Sequence, residues 1–161
     1  MTRIVVRRAT VADAHAIAVV HVRSWQETYA HLIAWQRLGA LDVAAREARW
    51  REILSASDED AWVGGLDGDV VAWVTTAYRD PERQPRDREL NGMYSLASAH
   101  GSGVGQALLD EALGDAPAFL WVAADNPRAQ AFYRRNGFAA DGVRDEYPLL
   151  DTPIEIVRFV R

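Results

Sequence analysis

Three glycines at alternate positions, Gly101, Gly103 and Gly105, stand in the run His100-Gly101-Ser102-Gly103-Val104-Gly105. The run separates a strand-like segment from an apolar helical one. The start of a helix carries unpaired backbone N–H groups and the positive end of the dipole. Glycine, lacking Cβ, lets a phosphate oxygen approach that backbone closely. The chemistry indicated is the binding of a phosphorylated cofactor, and the alternative is a plain flexible turn. Two other phosphate-binding patterns can be compared with the run. A Walker loop needs Lys-Ser/Thr after its last glycine, where Gln106-Ala107 stand. A dinucleotide fingerprint needs a glycine where Gln106 stands. Asp125, twenty residues beyond Gly105, occupies the place of a ribose-binding acid. The loop alone therefore weakens the dinucleotide reading without removing it.

The elements that position this loop can be read outward from it. Glu89 to Ala97 reads as the strand leading in, and Gly103 to Leu113 as the helix leading out. Ala118 to Ala123 is a continuous apolar run, the mark of a buried strand. Asn126 to Asn136 is a helix, with Gly137 as its left-handed stop. Phe138 to Tyr147 and Ile154 to Val160 read as closing strands. Upstream, Arg3 to Arg8 is a strand, and Thr10 to Asp13 resembles a capping box with Asp13 in place of Glu. Ala14, Ile17, Ala18 and His21-Val22 have helical spacing, which predicts a helix to about Trp25. Gln26 to Leu41 reads as a short helix or ordered loop, and Val43 to Leu54 as a helix capped by Asp42. Ala61 to Leu66 and Val70 to Tyr78 read as a hairpin turning at Asp67-Gly68-Asp69. Arg79 to Arg88 is polar with two prolines, hence a loop.

At 161 residues, with no repeat or linker, the chain reads as one domain, 1–161, of α/β or α+β class. Hydrophobic residues make up 49% and charged residues 25%, a globular balance. A net charge of -5 speaks against a general nucleic-acid or membrane-surface binder. The absence of cysteine removes disulfides, thiolate nucleophiles and Cys-type zinc sites. No metal is expected. No apolar run approaches the ~20 residues of a membrane span, and Met1 to Arg8 lacks a secretory core. A cytoplasmic location is expected.

A second motif follows the loop: Asn126-Pro127-Arg128-Ala129-Gln130-Ala131-Phe132-Tyr133-Arg134-Arg135-Asn136-Gly137-Phe138. Strand, H-G-S-G-V-G, helix, apolar strand and N-P-R-A-Q-A-F-Y-R-R-N-G-F, in that order, resemble the GNAT superfamily of N-acetyltransferases. The motifs span about Glu89 to Phe138, and the element order extends the likeness to most of the chain. The family's loop has the form Gln/Arg-x-x-Gly-x-Gly/Ala, matched here by His100, Gly103 and Gly105. His100 departs from the usual Gln or Arg, Ala97 from a frequent proline, and Ser95 from a common Val or Ile. The backbone amides from Gly101 to Gly105 do not depend on the His100 side chain. His100 reads either as a cofactor contact or as an exposed loop residue.

The resemblance implies the acyl-CoA N-acyltransferase fold, a mixed and mostly antiparallel sheet of about seven strands flanked by helices. It implies a bacterial-type acetyltransferase that uses acetyl-CoA as acyl donor and an amine as acceptor in one ternary complex. The pyrophosphate would sit on His100, Gly101, Ser102, Gly103, Val104, Gly105 and Gln106. Tyr94, Ser95 and Leu96 would lie beside the pantetheine arm, with backbone N–H groups polarising the thioester. Asn126 matches the position that often bonds this arm, and before Pro127 it is equally a helix N-cap. Tyr133 matches the tyrosine that donates a proton to departing CoA thiolate. Its alternative is core, although Ala129, Phe132 and Asn136 form the stripe that Phe132 can anchor.

A protonated amine needs a base, and Glu89 is the first candidate, ahead of His21, Glu27 and His31. Trp25 and Tyr29, four apart in a S-W-x-x-x-Y segment found in some bacterial members, either line the acceptor site or form core. Trp35, Trp50, Trp62 and Trp73 are assigned to core or interface. The competing function is a non-catalytic acyl-CoA-binding regulatory module. The late strands, Tyr147 to Val160, are candidates for pairing in a homodimer, as in some relatives.

Overall fold

The computed structural model describes residues 1–161. Seven strands form one sheet in the order β1-β2-β3-β4-β5-β7-β6. They are β1 (Ile4–Arg8), β2 (Asp60–Leu66), β3 (Asp69–Tyr78), β4 (Arg88–Ser95), β5 (Phe119–Ala123), β6 (Ala139–Leu149) and β7 (Thr152–Val160). Five helices accompany them: α1 (Ala14–Tyr29), α2 (Trp35–Leu38), α3 (Val43–Ser55), α4 (Val104–Ala112) and α5 (Pro127–Arg135). The chain divides into two compact units, Met1–Thr76 with Gly92–Gly114, and Ala77–Asn91 with Asp115–Arg161.

In the first unit β1 runs antiparallel to β2, from Ile4 opposite Leu66 to Arg8 opposite Trp62. β2 runs antiparallel to β3, with a register shift between Gly64 and Gly65. The apolar stripe of α1 sets Ala14, Ile17, Ala18 and Val20 against Trp50 of α3, Val63 and Trp73 of the sheet, and Leu96. Asp13 anchors the start of α1. Its Oδ2 accepts from the Thr10 N–H at 2.8 Å, and Arg7 forks onto both carboxylate oxygens at 2.7 and 2.8 Å. The Arg7 hydrogen bonds, first among several causes, hold the Asp13 carboxyl below its usual range. Asp42 caps α3 as expected, accepting the Ala44 N–H at 2.9 Å.

In the second unit β5 pairs in parallel with β4 at Glu89–Phe119 and Leu90–Leu120, and antiparallel with β7 from Phe119–Val160 to Ala123–Ile156. β6 and β7 form a hairpin with an irregularity between Ala140 and Arg144, where Gly142 takes φ 88°. Phe119, Leu120, Phe138 and Phe159 are fully buried in this unit, with Phe119 and Leu120 on opposite faces of β5.

Several boundaries differ from the sequence expectation. α1 continues four residues past Trp25, through the whole Ser24–Tyr29 segment. β4 ends at Ser95, and Ala97–Ala99 form a 3-10 turn instead of strand. Trp35, expected in core or interface, is 62% exposed and so is not core.

Candidate active site

The glycine loop belongs to the first unit, and its backbone departs from ordinary helix entry. Gly101 and Gly103 have φ of 77° and 93°. Both lie in the left-handed region, which costs other residues roughly 1–2 kcal/mol each. Ser102 braces the turn: its Oγ donates to the Ala99 carbonyl at 2.7 Å and accepts from the Val104 N–H at 3.3 Å. The Gln106 side chain donates to Asp110 at 2.8 Å, one turn along α4. The N–H groups of Gly101, Gly103 and Gly105 donate to no acceptor within the protein. Successive glycine N–H groups around left-handed residues at a helix start make an anion-binding concavity. The His100 side chain is exposed, so the loop's donor set is backbone.

Helix α4 reaches this position because β2 carries glycine beneath it. A Cβ on Gly64 would stand 2.6 Å from Val104 Cγ2 and 3.1 Å from Leu108 Cδ1. Val104 is 1% exposed, so the first residue of α4 is clamped onto the sheet. The pair Gly64-Gly65 inside a strand pattern was the available signal for this close approach.

Tyr94, near the end of β4, and Leu96, just past it, pack against the same core cluster. The Leu96 N–H donates to the Val71 carbonyl at 2.9 Å. That group is consumed by the fold, which corrects the expectation that it helps polarise a thioester. The Ala97 N–H is also taken, at 2.7 Å by Glu27 of α1. Glu27 therefore holds the segment entering the glycine loop, a role no short-range spacing indicates, since the partners are 70 residues apart.

Above this strand the rings of α1 and α3 gather. Trp25 and Tyr29 share a face as expected, ring centroids 5.9 Å apart. Tyr29 and Tyr94 join hydroxyls at 2.7 Å. His21 stacks on Trp73 at 5.2 Å and lies 4.6 Å from Trp25. The Trp50 indole N–H donates to His21 Nδ1 at 3.1 Å, which assigns the ring proton to Nε2. Burial, helped by the charge of Arg46, pushes His21 down to about 3. With Nδ1 accepting from Trp50 and Nε2 carrying the proton, the neutral ring has no free lone pair for an ammonium proton, which removes His21 from the base candidates. His31 is exposed.

The second unit holds the other expected residues. Asn126 caps α5: its Oδ1 accepts from the Ala129 N–H at 3.1 Å, with Pro127 in the first turn. Its side-chain NH2 makes no hydrogen bond within the protein. Tyr133 is 7% exposed and is the buried residue of α5, packed edge-on to Phe132 at 5.4 Å and Phe138 at 6.0 Å. The expected stripe through Phe132 is therefore rotated, and Phe132 is only half-buried. The turn at Gly137 explains it, since Phe138 folds back beneath the helix and covers Tyr133. Glu89 is paired with Arg79, Nε to Oε2 at 2.5 Å, with its side chain 14% exposed. No group of three or more His, Asp or Glu side chains is placed to hold a metal ion. No helix is long and apolar enough to cross a membrane.

Residues 17–138 match the model of the acetyltransferase (GNAT) family. The uncharacterized N-acetyltransferase YuaI of Bacillus subtilis is 30% identical over 135 residues, covering 77% of this chain and 74% of that protein. An uncharacterized N-acetyltransferase of Mycobacterium tuberculosis is 29% identical over 139 residues, covering 82% and 86%. Among solved structures, the PaiA N-acetyltransferase of Thermoplasma acidophilum in complex with coenzyme A superposes with TM-score 0.72 at 18% identity, covering 97% of this chain and 98% of that one. A ribosomal-protein-alanine N-acetyltransferase of Brucella melitensis gives TM-score 0.71 at 22% identity, covering 98% of each chain. The chain belongs to the acetyltransferase (GNAT) family of acyl-CoA-dependent N-acyltransferases.

Proposed function

We propose that the protein transfers an acetyl group from acetyl-CoA directly to the primary amine of a small molecule or peptide. The observation that carries this reading is the trio of uncommitted N–H groups on Gly101, Gly103 and Gly105, held open by two left-handed glycines. That set fits a pyrophosphate, and it does so without the side chain at position 100. The thioester supplies an activated acyl carbon, so the chain's own residues need only bind, orient and move protons. The side-chain NH2 of Asn126, left over from its cap, is suited to an amide carbonyl of the pantetheine arm. Tyr133 is assigned as the proton donor to the leaving thiolate, a role its phenol O–H can fill. Glu89 is assigned as the base that takes the ammonium proton, and its pairing with Arg79 makes Arg79 part of the same unit of chemistry. Trp25 and Tyr29 line the acceptor side. With no cysteine in the chain, direct transfer needs no thiol relay. A cytoplasmic location goes with the proposal. The late strands, where β6 is an exposed edge, are the candidate face for a second copy.

The test is a panel of primary amines and peptides with acetyl-CoA, read as free CoA thiol. Turnover that falls about 100-fold in Tyr133→Phe, with unchanged melting, supports the reading. Turnover of no amine, together with a raised melting temperature in acetyl-CoA, would replace it by the non-catalytic acyl-CoA-binding module.

A further inference from the structure

We infer that the aromatic cluster of the first unit is the acceptor subsite for an amine that also carries a carboxylate. The inference rests on the proposed transferase reading and adds the acceptor's chemical class. Three ring N–H groups in this cluster are buried with no hydrogen-bond partner: His21 Nε2, Trp25 Nε1 and Trp73 Nε1. His21 and Trp73 are 7% and 5% exposed. The rings adjoin, His21 lying 4.6 Å from Trp25 and 5.2 Å from Trp73 by centroid. All three groups are donors. An indole can only donate, and His21 is fixed as an Nε2–H donor because its Nδ1 already accepts from Trp50. Donors cannot satisfy one another, and buried polar groups in native folds are nearly always paired. What matches three donors is a group with several lone pairs, and a carboxylate offers about four.

The charge nearby has the same sense. The Arg46 guanidinium lies over the Trp25 ring, 5.3 Å from its centroid. That ring face is already taken by a cation, and the field favours an anion. The cluster therefore does not read as an aromatic cage for the ammonium itself, which would need free ring faces or acceptors. The amine end of the acceptor is directed away from the cluster and its carboxylate toward it. The Tyr29–Tyr94 hydroxyl pair, 2.7 Å apart, belongs to the same face and ties it to β4.

The experiment compares matched ligands: alanine with ethylamine, methionine with 3-(methylthio)propylamine, and phenylalanine with phenethylamine. Binding is followed by indole emission on CoA-saturated protein, and transfer by release of CoA thiol from acetyl-CoA. At least one amino acid should bind about tenfold or more tightly than its decarboxylated partner, the scale of a charge-assisted hydrogen bond. Trp25→Phe and Trp73→Phe keep a ring and delete one donor, and each should cut that preference about tenfold. Trp25 is half-buried, so its variant decides the matter if Trp73→Phe melts early. Equal or tighter binding of every plain amine, no saturable binding of any amino acid, or an intact preference in Trp25→Phe would overturn the inference. Acetylation of plain amines without a carboxylate preference would sink the inference and leave the transferase standing. A carboxylate preference in binding without turnover would do the reverse.

Discussion

Replacing Gly64 by alanine tests how the fold sets the glycine loop in place. The new Cβ would lie 2.6 Å from Val104 Cγ2. Carbon atoms prefer about 3.5–4.0 Å, so roughly 1 Å must be found. Val104 is β-branched and helical, which leaves it one strongly preferred rotamer, so it does not simply turn aside. The remaining outlet is movement of the first turn of α4, which carries Gly103 and Gly105 with it. Overpacking of this kind costs about 1–3 kcal/mol. For a chain of this size that corresponds to a melting temperature lower by about 2–12 °C. The loop displacement should also weaken CoA by about tenfold or more, since hydrogen bonds to a phosphate depend steeply on distance. Differential scanning fluorimetry and calorimetric CoA titration measure both quantities. Val104→Ala in the same chain removes the obstructing methyl groups and should recover part of each loss, giving a coupling of about 0.5–3 kcal/mol. Gly64→Ala with unchanged melting and unchanged CoA affinity would refute the claim that the seat of α4 on β2 positions the loop.

Other perturbations separate roles that coincide at one residue. Asn126→Ala loses the α5 cap, a cost of about 0.5–2 kcal/mol, whereas Asn126→Asp keeps a cap and loses the side-chain NH2. Recovery of melting but not of KM for acetyl-CoA in Asn126→Asp would show the second role, and recovery of both would leave the residue a cap alone. His21 has a folded pKa of about 3, below its unfolded value of about 6.5. The unfolded state binds the extra proton, so this contribution is present above pH 6.5 and is lost as pH falls toward 3. Between pH 7 and pH 5 the loss is about 2 kcal/mol. His21→Gln, whose carbonyl still accepts from Trp50, should flatten that part of the urea-denaturation profile, and an unchanged slope would contradict the assignment. Glu89→Gln should lower kcat at neutral pH by about 100-fold or more with melting unchanged. An unchanged kcat would exclude Glu89 as the base.

Much of this arrangement was legible from local pattern. The Gly101–Gly105 run, the Asn126-Pro127 cap and the Gly137 stop are short-range signals, and each does locally what its residue types require. The hairpin at Asp67-Gly68-Asp69 is of the same kind. What was not legible depends on partners far apart in the chain. Glu27 reaches the Ala97 N–H, Trp50 reaches His21, and Gly64 receives Val104. No window of the sequence contains both members of these pairs. The buried stripe of α5 falls one position from where local spacing puts it, because Phe138, after the turn at Gly137, packs on Tyr133. Strand position nominates Glu89 as a base but says nothing of the Arg79 guanidinium paired with it.

The proposed transfer depends first on backbone N–H groups of the glycine loop holding the CoA pyrophosphate. Calorimetric titration of CoA and NAD into the native protein and into Gly101→Ala/Gly103→Ala measures it most directly. Alanine at both positions opposes the left-handed backbone without adding bulk to Gly101, where nothing lies within 4 Å of a new Cβ. The native protein should bind CoA and not NAD, and CoA affinity should fall about 100-fold in a variant that keeps its folded circular dichroism. CoA binding undiminished by the double substitution, or NAD binding in its place, would contradict it.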